Sequence, residues 1–286
     1  MRLCRYDDNR LGLVEGNEVK DVTEALKVLP AARWPLPQGD LLIANLDKVM
    51  AEVKKLAPNA KRTPLKDIKL KSPVANPSKI IGAPVNYRAH KEESIKDKGI
   101  SFGQDVKEID YYGLFLKASS GLVGAGEGCA VRFHPDRRND HEIELAVIIG
   151  KKAANVSVER ALDYVAGYAI GLDMTVRGQE ERSLRKSIDS YSILGPWLTT
   201  ADEVKDPENV DFSITVNGEP RQKSNTNNLI WGVKRLISYA STFYALLPGD
   251  IIMTGTPEGV GPVKPGDVMH AEITGVGVMD VPVRAA

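Results

Sequence analysis

The chain has 286 residues, 42% hydrophobic and 27% charged, a composition with enough apolar material for a large core. Lys+Arg and Asp+Glu each number 38, and this balance argues against an electrostatic grip on nucleic acid or on an anionic membrane. The charged N-terminus lacks the apolar stretch of a secretion signal, no apolar run reaches the roughly 18 residues of a membrane span, and the two cysteines, Cys4 and Cys129, exclude a disulfide framework. A soluble, cytoplasmic protein is expected.

The N-terminal residues read as a small meander. Apolar stretches at 11–14 and 19–22 are separated by the turn-forming Asp7-Asp8-Asn9 and Glu15-Gly16-Asn17. Asp40 can cap a helix in which Leu42, Leu46, Val49, Val53 and Leu56 recur at spacings of four and three, and Pro58 stops it. Pro64 and Pro73 then mark a strand and a linker. This pattern predicts a small α+β domain over residues 1–72 and a main domain over residues 73–286.

The main domain opens on a buried strand at 79–82, which turns at Pro84-Val85-Asn86 into a short helix. Residues 94–112 are polar and carry Gly99 and Gly103, and read as a mobile loop with one helical turn, long enough for a lid. Short β runs follow at 114–117, 142–149, 168–174 and 211–216, with Asn217-Gly218 as a hairpin turn. Pro248-Gly249-Asp250 and Pro265-Gly266-Asp267 each launch a strand. Helices are few: beyond the short one after Asn86 they are expected at 158–165 and 229–240, where Ile230, Val233, Ile237 and Ala240 share a face. The fold class is therefore α+β and β-dominated, without the regular alternation of a Rossmann domain.

The most informative segment is His141-Glu142-Ile143-Glu144-Leu145, which heads a hydrophobic run ending at Gly150. Residues two apart in a strand point the same way, so Glu142 and Glu144 converge beside buried material. Two such charges repel by roughly 2–3 kcal/mol at an effective dielectric near 20. They need a partner: Arg or Lys, a shared proton, or a divalent metal. Asp173 adds a third acid inside the apolar run 168–175. Three carboxylates without clustered Cys or His suit Mg²⁺ or Mn²⁺, while a salt-bridge network with Arg177 and Lys186 satisfies the same charges. His141 falls on the opposite strand face and is expected at the surface or behind the site.

A second group is Asn86-Tyr87-Arg88-Ala89-His90-Lys91-Glu92-Glu93. On a helix His90 and Glu93 lie one turn apart, so the carboxylate can fix the imidazole tautomer and raise its basicity for drawing a proton from water. The same residues also read as a polar first helical turn. The Gly-rich run at 254–261 lacks the Lys-Ser/Thr of a phosphate loop and offers amides and hydroxyls for a small carboxylate, or a tight turn between core strands.

In order along the chain these pieces resemble the fumarylacetoacetate hydrolase family. They are Asn86-Tyr87 with His90 and Glu93, Phe115-Leu116-Lys117, Glu142-Ile143-Glu144, Asp173-Met174-Thr175-Val176-Arg177, Lys186-Ser187-Ile188-Asp189, Leu194-Gly195-Pro196-Trp197, Asn217-Gly218 with Gln222, and Thr254-Gly255-Thr256-Pro257-Glu258-Gly259. The resemblance covers residue 77 to the C-terminus. It implies a mixed β-roll catalytic domain, a homodimer, and a Mg²⁺ or Mn²⁺ ion on Glu142, Glu144 and Asp173. It further implies a water-activating pair on His90 and Glu93, an active-site lysine on Lys186, substrate contacts at Thr256, Gln222 and Arg177, and a segment that folds over the substrate. The segment from Arg177 to Lys186 departs from the family pattern, being shorter and reading Gly178-Gln179-Glu180 after the arginine.

The function so implied is a metal-dependent hydrolase that cleaves a C–C bond in acylpyruvates such as fumarylpyruvate or maleylpyruvate, giving pyruvate and a carboxylic acid in aromatic catabolism. Oxaloacetate decarboxylation and isomerisation of a 2-hydroxy-dienedioate use the same chemistry and stand as alternatives. A non-catalytic dicarboxylate binder is a third reading. Arg88, Tyr111, Tyr112 and Arg185 are partners for a second substrate carboxylate, which the sequence does not rank.

Overall fold

The computed structural model describes all 286 residues. Its centre is a large mixed sheet whose longest strands, Ile143–Ile149, Val165–Asp173 and Ser192–Thr200, lie side by side and antiparallel. These strands are buried on both faces, which is why their sequences run apolar instead of alternating with polar residues. Along Ile143–Ile149 the side chains alternate between two cores. Ile143, Leu145, Val147 and Ile149 enter the larger one, and Ala146 and Ile148 face a second one with Ile43, Val49 and Val53. Glu144 lies on the Ala146 side of this alternation.

The N-terminal meander forms as expected, with strands Arg2–Tyr6, Arg10–Glu15 and Glu18–Asp21. Its first strand pairs with Ser192–Thr200, so it extends the central sheet. Asp40 caps helix Leu41–Ala44, accepting the Ile43 N–H at 3.1 Å, and helix Leu46–Leu56 buries Leu46, Val49 and Val53. On the other side of the centre, Ile143–Ile149 pairs with Ile251–Met253, which runs parallel to Ile80–Gly82. A five-stranded sheet carries the hairpin Asp211–Val216 and Glu219–Asn225. Its Asn217 and Gly218 both have positive φ, the conformation of a two-residue turn that matches strand twist.

The helices differ from expectation in three places. The 158–165 helix is a 3₁₀ segment, Val158–Tyr164. The 229–240 helix begins at Val233 and runs to Phe243, so Ile230 precedes it. The region 94–112 is more helical than a loop: helix Arg88–Lys96 continues through its start, and Lys98–Ser101 and Ile109–Tyr112 follow. No helix is long and apolar enough to cross a membrane.

Candidate active site

The acids gather where two central strands end. Glu144 is the second residue of Ile143–Ile149, Asp173 is the last of Val165–Asp173, and Glu142 occupies the break between Asn139–His141 and Ile143–Ile149. Pairing of Ile143 with Leu172 brings Glu142 beside Asp173, whose N–H donates to the Glu142 carbonyl at 2.9 Å. Glu142, Glu144 and Asp173 are buried, and each offers a carboxylate oxygen within 4.8 Å of the others.

Cations meet two of the three. Arg177 donates to Glu142 Oε1 at 2.7 Å and to Asp140 Oδ2 at 2.8 Å. Lys186 Nζ spends its three protons on Glu142 Oε2 at 2.7 Å, Asp173 Oδ2 at 2.7 Å and Thr175 Oγ1 at 2.6 Å. Lys117 donates to Asp173 Oδ1 and, at 2.8 Å, to the Tyr191 carbonyl. The salt-bridge network anticipated from the sequence is therefore present, but it is one cation short. Four buried carboxylates (Asp140, Glu142, Glu144, Asp173) face three buried cations, Lys117, Arg177 and Lys186. Arg138 also touches Asp140, but is shared with Asp97.

Glu144 is the acid left over. Its hydrogen bond is a 2.6 Å contact from the Gly255 N–H. Burial and then the Asp173 and Glu142 charges push its carboxyl well above the usual range. Burial pushes Glu142 the same way, but Lys186 and Arg177 outweigh it and hold that carboxyl far below the usual range. At the 4.8 Å limit, two ionised carboxylates repel by roughly 3–4 kcal/mol at an effective dielectric near 20. An oxygen-only donor set with one charge unanswered fits a hard divalent cation such as Mg²⁺ or Mn²⁺.

The second group stands over the same cavity. Helix Arg88–Lys96 places His90 Nδ1 at 3.0 Å from Glu93 Oε2, and the other Glu93 oxygen accepts the Gly259 N–H at 2.9 Å. Held at both ends, the carboxylate fixes the ring and leaves Nε2 for the cavity that His90 lines. Glu92 faces solvent. The helix start is anchored by the buried Asn86, which donates to the Trp231 and Thr254 carbonyls at 3.0 and 2.8 Å and accepts the Trp231 N–H at 2.7 Å. Gly255, at φ +101, passes so close that a Cβ would lie 2.7 Å from that of Asn86.

Thr256 lines the cavity, and its hydroxyl donates to the Ile143 carbonyl at 2.9 Å while accepting from Gln222 Nε2 at 2.7 Å. Gln222 also donates to the Pro257 carbonyl and accepts from the Ile143 N–H. It lies behind Thr256, away from the cavity lining. Behind it in turn is the fully buried His141, which takes the second of the two places expected for it, behind the site. Burial pushes this imidazole below its ordinary value, and its Nδ1–H donates to Gln222 Oε1 at 3.0 Å. Arg177 lines the cavity but is committed to Asp140 and Glu142, so its contact is first with Glu142.

The helical segment after Glu93 roofs the cavity with Ser94, Ile100, Gln104, Val106 and Tyr112. Asp97 at its first break pairs with Arg138 at 2.7 Å, and Arg138 with Asp140 at 2.6 Å, tying roof to floor. Of the four residues considered for a second carboxylate, Tyr112 and Arg185 line the cavity, while Arg88 and Tyr111 lie outside the lining. Sequence reasoning missed Asp140 and the role of Lys117. Extending the Glu142/Glu144 alternation one step back finds Asp140; a lone lysine ending a three-residue strand carries no comparable signal.

The family model for the C-terminal domain of fumarylacetoacetate hydrolase matches residues 79–284. The chain belongs to the fumarylacetoacetate hydrolase family. Among its members, the maleylpyruvate hydrolase of Aquipseudomonas alcaligenes is 57% identical over 290 residues, with all of both chains covered. Rat mitochondrial oxaloacetate tautomerase is 35% identical over 257 residues, covering 85% of this chain and 76% of the relative. The crystal structure of a maleylpyruvate hydrolase from Sphingobium sp. SYK-6, in complex with manganese(II) and pyruvate, superimposes with a TM-score of 0.84 at 41% identity and full coverage of both. The family's mixed, sheet-dominated fold is thus the fold of this chain, as the motifs implied.

Proposed function

We propose that this chain is a metal-dependent acylpyruvate hydrolase, adding water across a C–C bond of a fumarylpyruvate- or maleylpyruvate-like 2,4-dioxo acid to give pyruvate and a carboxylic acid in aromatic catabolism. The observation that carries the reading is one cavity lined both by the cation-deficient trio Glu142, Glu144 and Asp173 and by the His90–Glu93 pair. Full-length similarity to maleylpyruvate hydrolases supports it. In this reading the enzyme works as a cytoplasmic homodimer.

Glu142, Glu144 and Asp173 would hold Mg²⁺ or Mn²⁺. When bound, the ion supplies a hard Lewis acid for the carboxylate and keto oxygens of a 2-oxo acid. The remaining chemistry belongs to the side chains. His90 Nε2 takes a proton from water, whose hydroxide attacks the distal carbonyl carbon; Glu93 keeps the ring in the required tautomer. The bond between that carbon and the methylene of the pyruvate half breaks, and its electron pair passes to the pyruvate half, whose methylene carbon gains a proton. The Lys186 ammonium lies beside the trio and can face the oxygen on which that negative charge develops, once one of its three present acceptors gives way. The Thr256 hydroxyl, positioned from behind by Gln222, receives the substrate carboxylate once its proton turns away from the Ile143 carbonyl. Arg177 holds Glu142 in its ionised form.

A second reading, oxaloacetate decarboxylation or tautomerisation, is favoured by the relationship to oxaloacetate tautomerase. It needs the same carboxylates but no water-derived nucleophile. The deciding assay follows pyruvate release from maleylpyruvate and fumarylpyruvate with a coupled dehydrogenase, before and after chelation. Turnover that stops with chelator and returns with Mn²⁺ is expected; turnover unaffected by chelation contradicts the proposal.

A further inference from the structure

The helix that carries Lys186 also carries two arginines without acidic partners. Helix Arg182–Lys186 presents Arg182, Arg185 and Lys186 to the cavity that Glu142, Glu144 and Asp173 line. Arg185 is half-buried; its Nε donates to the Glu180 carbonyl at 2.7 Å and its Nη1 to the Val176 carbonyl at 3.3 Å. The Arg182 side chain makes no hydrogen bond within the chain and lies with its guanidinium carbon 4.1 Å from the centroid of Tyr112. Of the nearby acids, Glu180 pairs with Arg137 at 2.8 Å and Asp105 of the roof with Lys107 at 2.6 Å, while Glu181, exposed at the helix start, is ion-paired with neither arginine.

Two part-desolvated guanidinium groups that line one cavity without an ion-paired carboxylate repel each other. Burial and then the Arg177 and Arg182 charges act together to depress Arg185. The arrangement is favourable only with an anion between them, and the planar forks suit a carboxylate. Lys186 marks the end of the cavity where the trio lies. Arg182 stands four residues before it, about one turn further along the same face of the helix, and lines the same cavity.

We propose that Arg182 and Arg185, closed over by Tyr112, form the subsite for a carboxylate at the far end of the acyl group, so that the enzyme selects diacid acylpyruvates over those with an uncharged acyl end. This rests on the acylpyruvate hydrolase reading. The pair falls within the stretch from Arg177 to Lys186 where the chain departs from the family pattern, which is where acyl-group selectivity is expected to differ among relatives.

The test compares the Mn²⁺-loaded enzyme on maleylpyruvate and on acetylpyruvate, which has a methyl group in place of the acyl carboxylate chain. Arg182→Gln is the primary variant because the Arg182 side chain holds no hydrogen bond or ion pair of the fold, whereas Arg185→Gln also releases two backbone carbonyls. For Arg182→Gln the ratio of kcat/KM for maleylpyruvate to that for acetylpyruvate is expected to fall roughly 10- to 100-fold, chiefly through KM for the diacid, with Arg182→Lys recovering part of the loss. Equal losses on both substrates, or no loss on either, would overturn the assignment. A wild-type enzyme that cleaves neither substrate with metal present refutes the hydrolase reading itself, an outcome distinct from failure of the subsite.

Discussion

His90→Ala is expected to lower kcat for acylpyruvate hydrolysis by roughly 10²- to 10⁴-fold, the usual contribution of a positioned general base, with divalent-ion affinity kept within a few-fold. The expectation follows from where the imidazole sits. Its Nδ1 is committed to Glu93, Glu93 is committed to Gly259, and the free ring nitrogen belongs to the cavity. Oxaloacetate decarboxylation, if the enzyme has it, should survive this substitution, because loss of carbon dioxide needs no hydroxide. Steady-state kinetics on both substrates separates the two chemistries. Hydrolysis that persists at the wild-type rate in His90→Ala would show that another group activates the water.

Glu144→Gln should have opposite effects on activity and stability. Hydrolysis should fall by about 10³-fold or more, because the amide removes the anionic oxygen that calls for a divalent ion. Without metal, the same variant should melt a few degrees above wild type, since it takes away a buried acid with no cation of its own. The sign with pH follows from the raised carboxyl. A folded-state value above the unfolded one destabilises the wild type above the ordinary carboxylate range, and increasingly as pH rises towards the folded value. The variant's advantage should therefore be present at neutral pH and disappear in acid, where Glu144 is protonated in both states. Glu142→Gln provides the contrast: Arg177 and Lys186 would each lose a charged partner, so this variant should lose stability as well as activity. Melting curves in chelator at two pH values test both, and a Glu144→Gln protein that melts below wild type at neutral pH would remove the argument for an unanswered charge.

The strand pattern and the acids were legible because both follow from local rules. An unbroken apolar run marks a strand buried on two faces, and three carboxylates entering such runs stand out as an electrostatic anomaly at Glu142, Glu144 and Asp173. The one-turn spacing of His90 and Glu93 likewise fixes their contact once the segment is helical. What sequence alone did not reveal depends on long-range packing. Lys117 reaches Asp173 from a strand 56 residues away, and nothing local distinguishes it from a surface lysine. Strand alternation left His141 either at the surface or behind the site, and the hairpin carrying Gln222 decides for the latter by folding over it. The roof over the cavity read as a loop because its helical turns are short and polar, and their order comes from contacts such as Asp97 with Arg138. Gly255 was visible as part of a Gly-rich turn, but its need for a positive φ and for close approach to Asn86 emerges only in three dimensions.

The central claim is that the charge deficit around Glu144 is met by a divalent ion that serves the reaction. Its most direct test is the anomalous scattering of crystals grown with Mn²⁺ and soaked in pyruvate. A single manganese peak per chain, contacting Glu142, Glu144 and Asp173 with Lys186 moved off at least one of the carboxylates it now bridges, is the predicted result. No peak at saturating Mn²⁺, with Lys186 still seated between Glu142 and Asp173 and Glu144 bound to the Gly255 amide alone, would contradict the account.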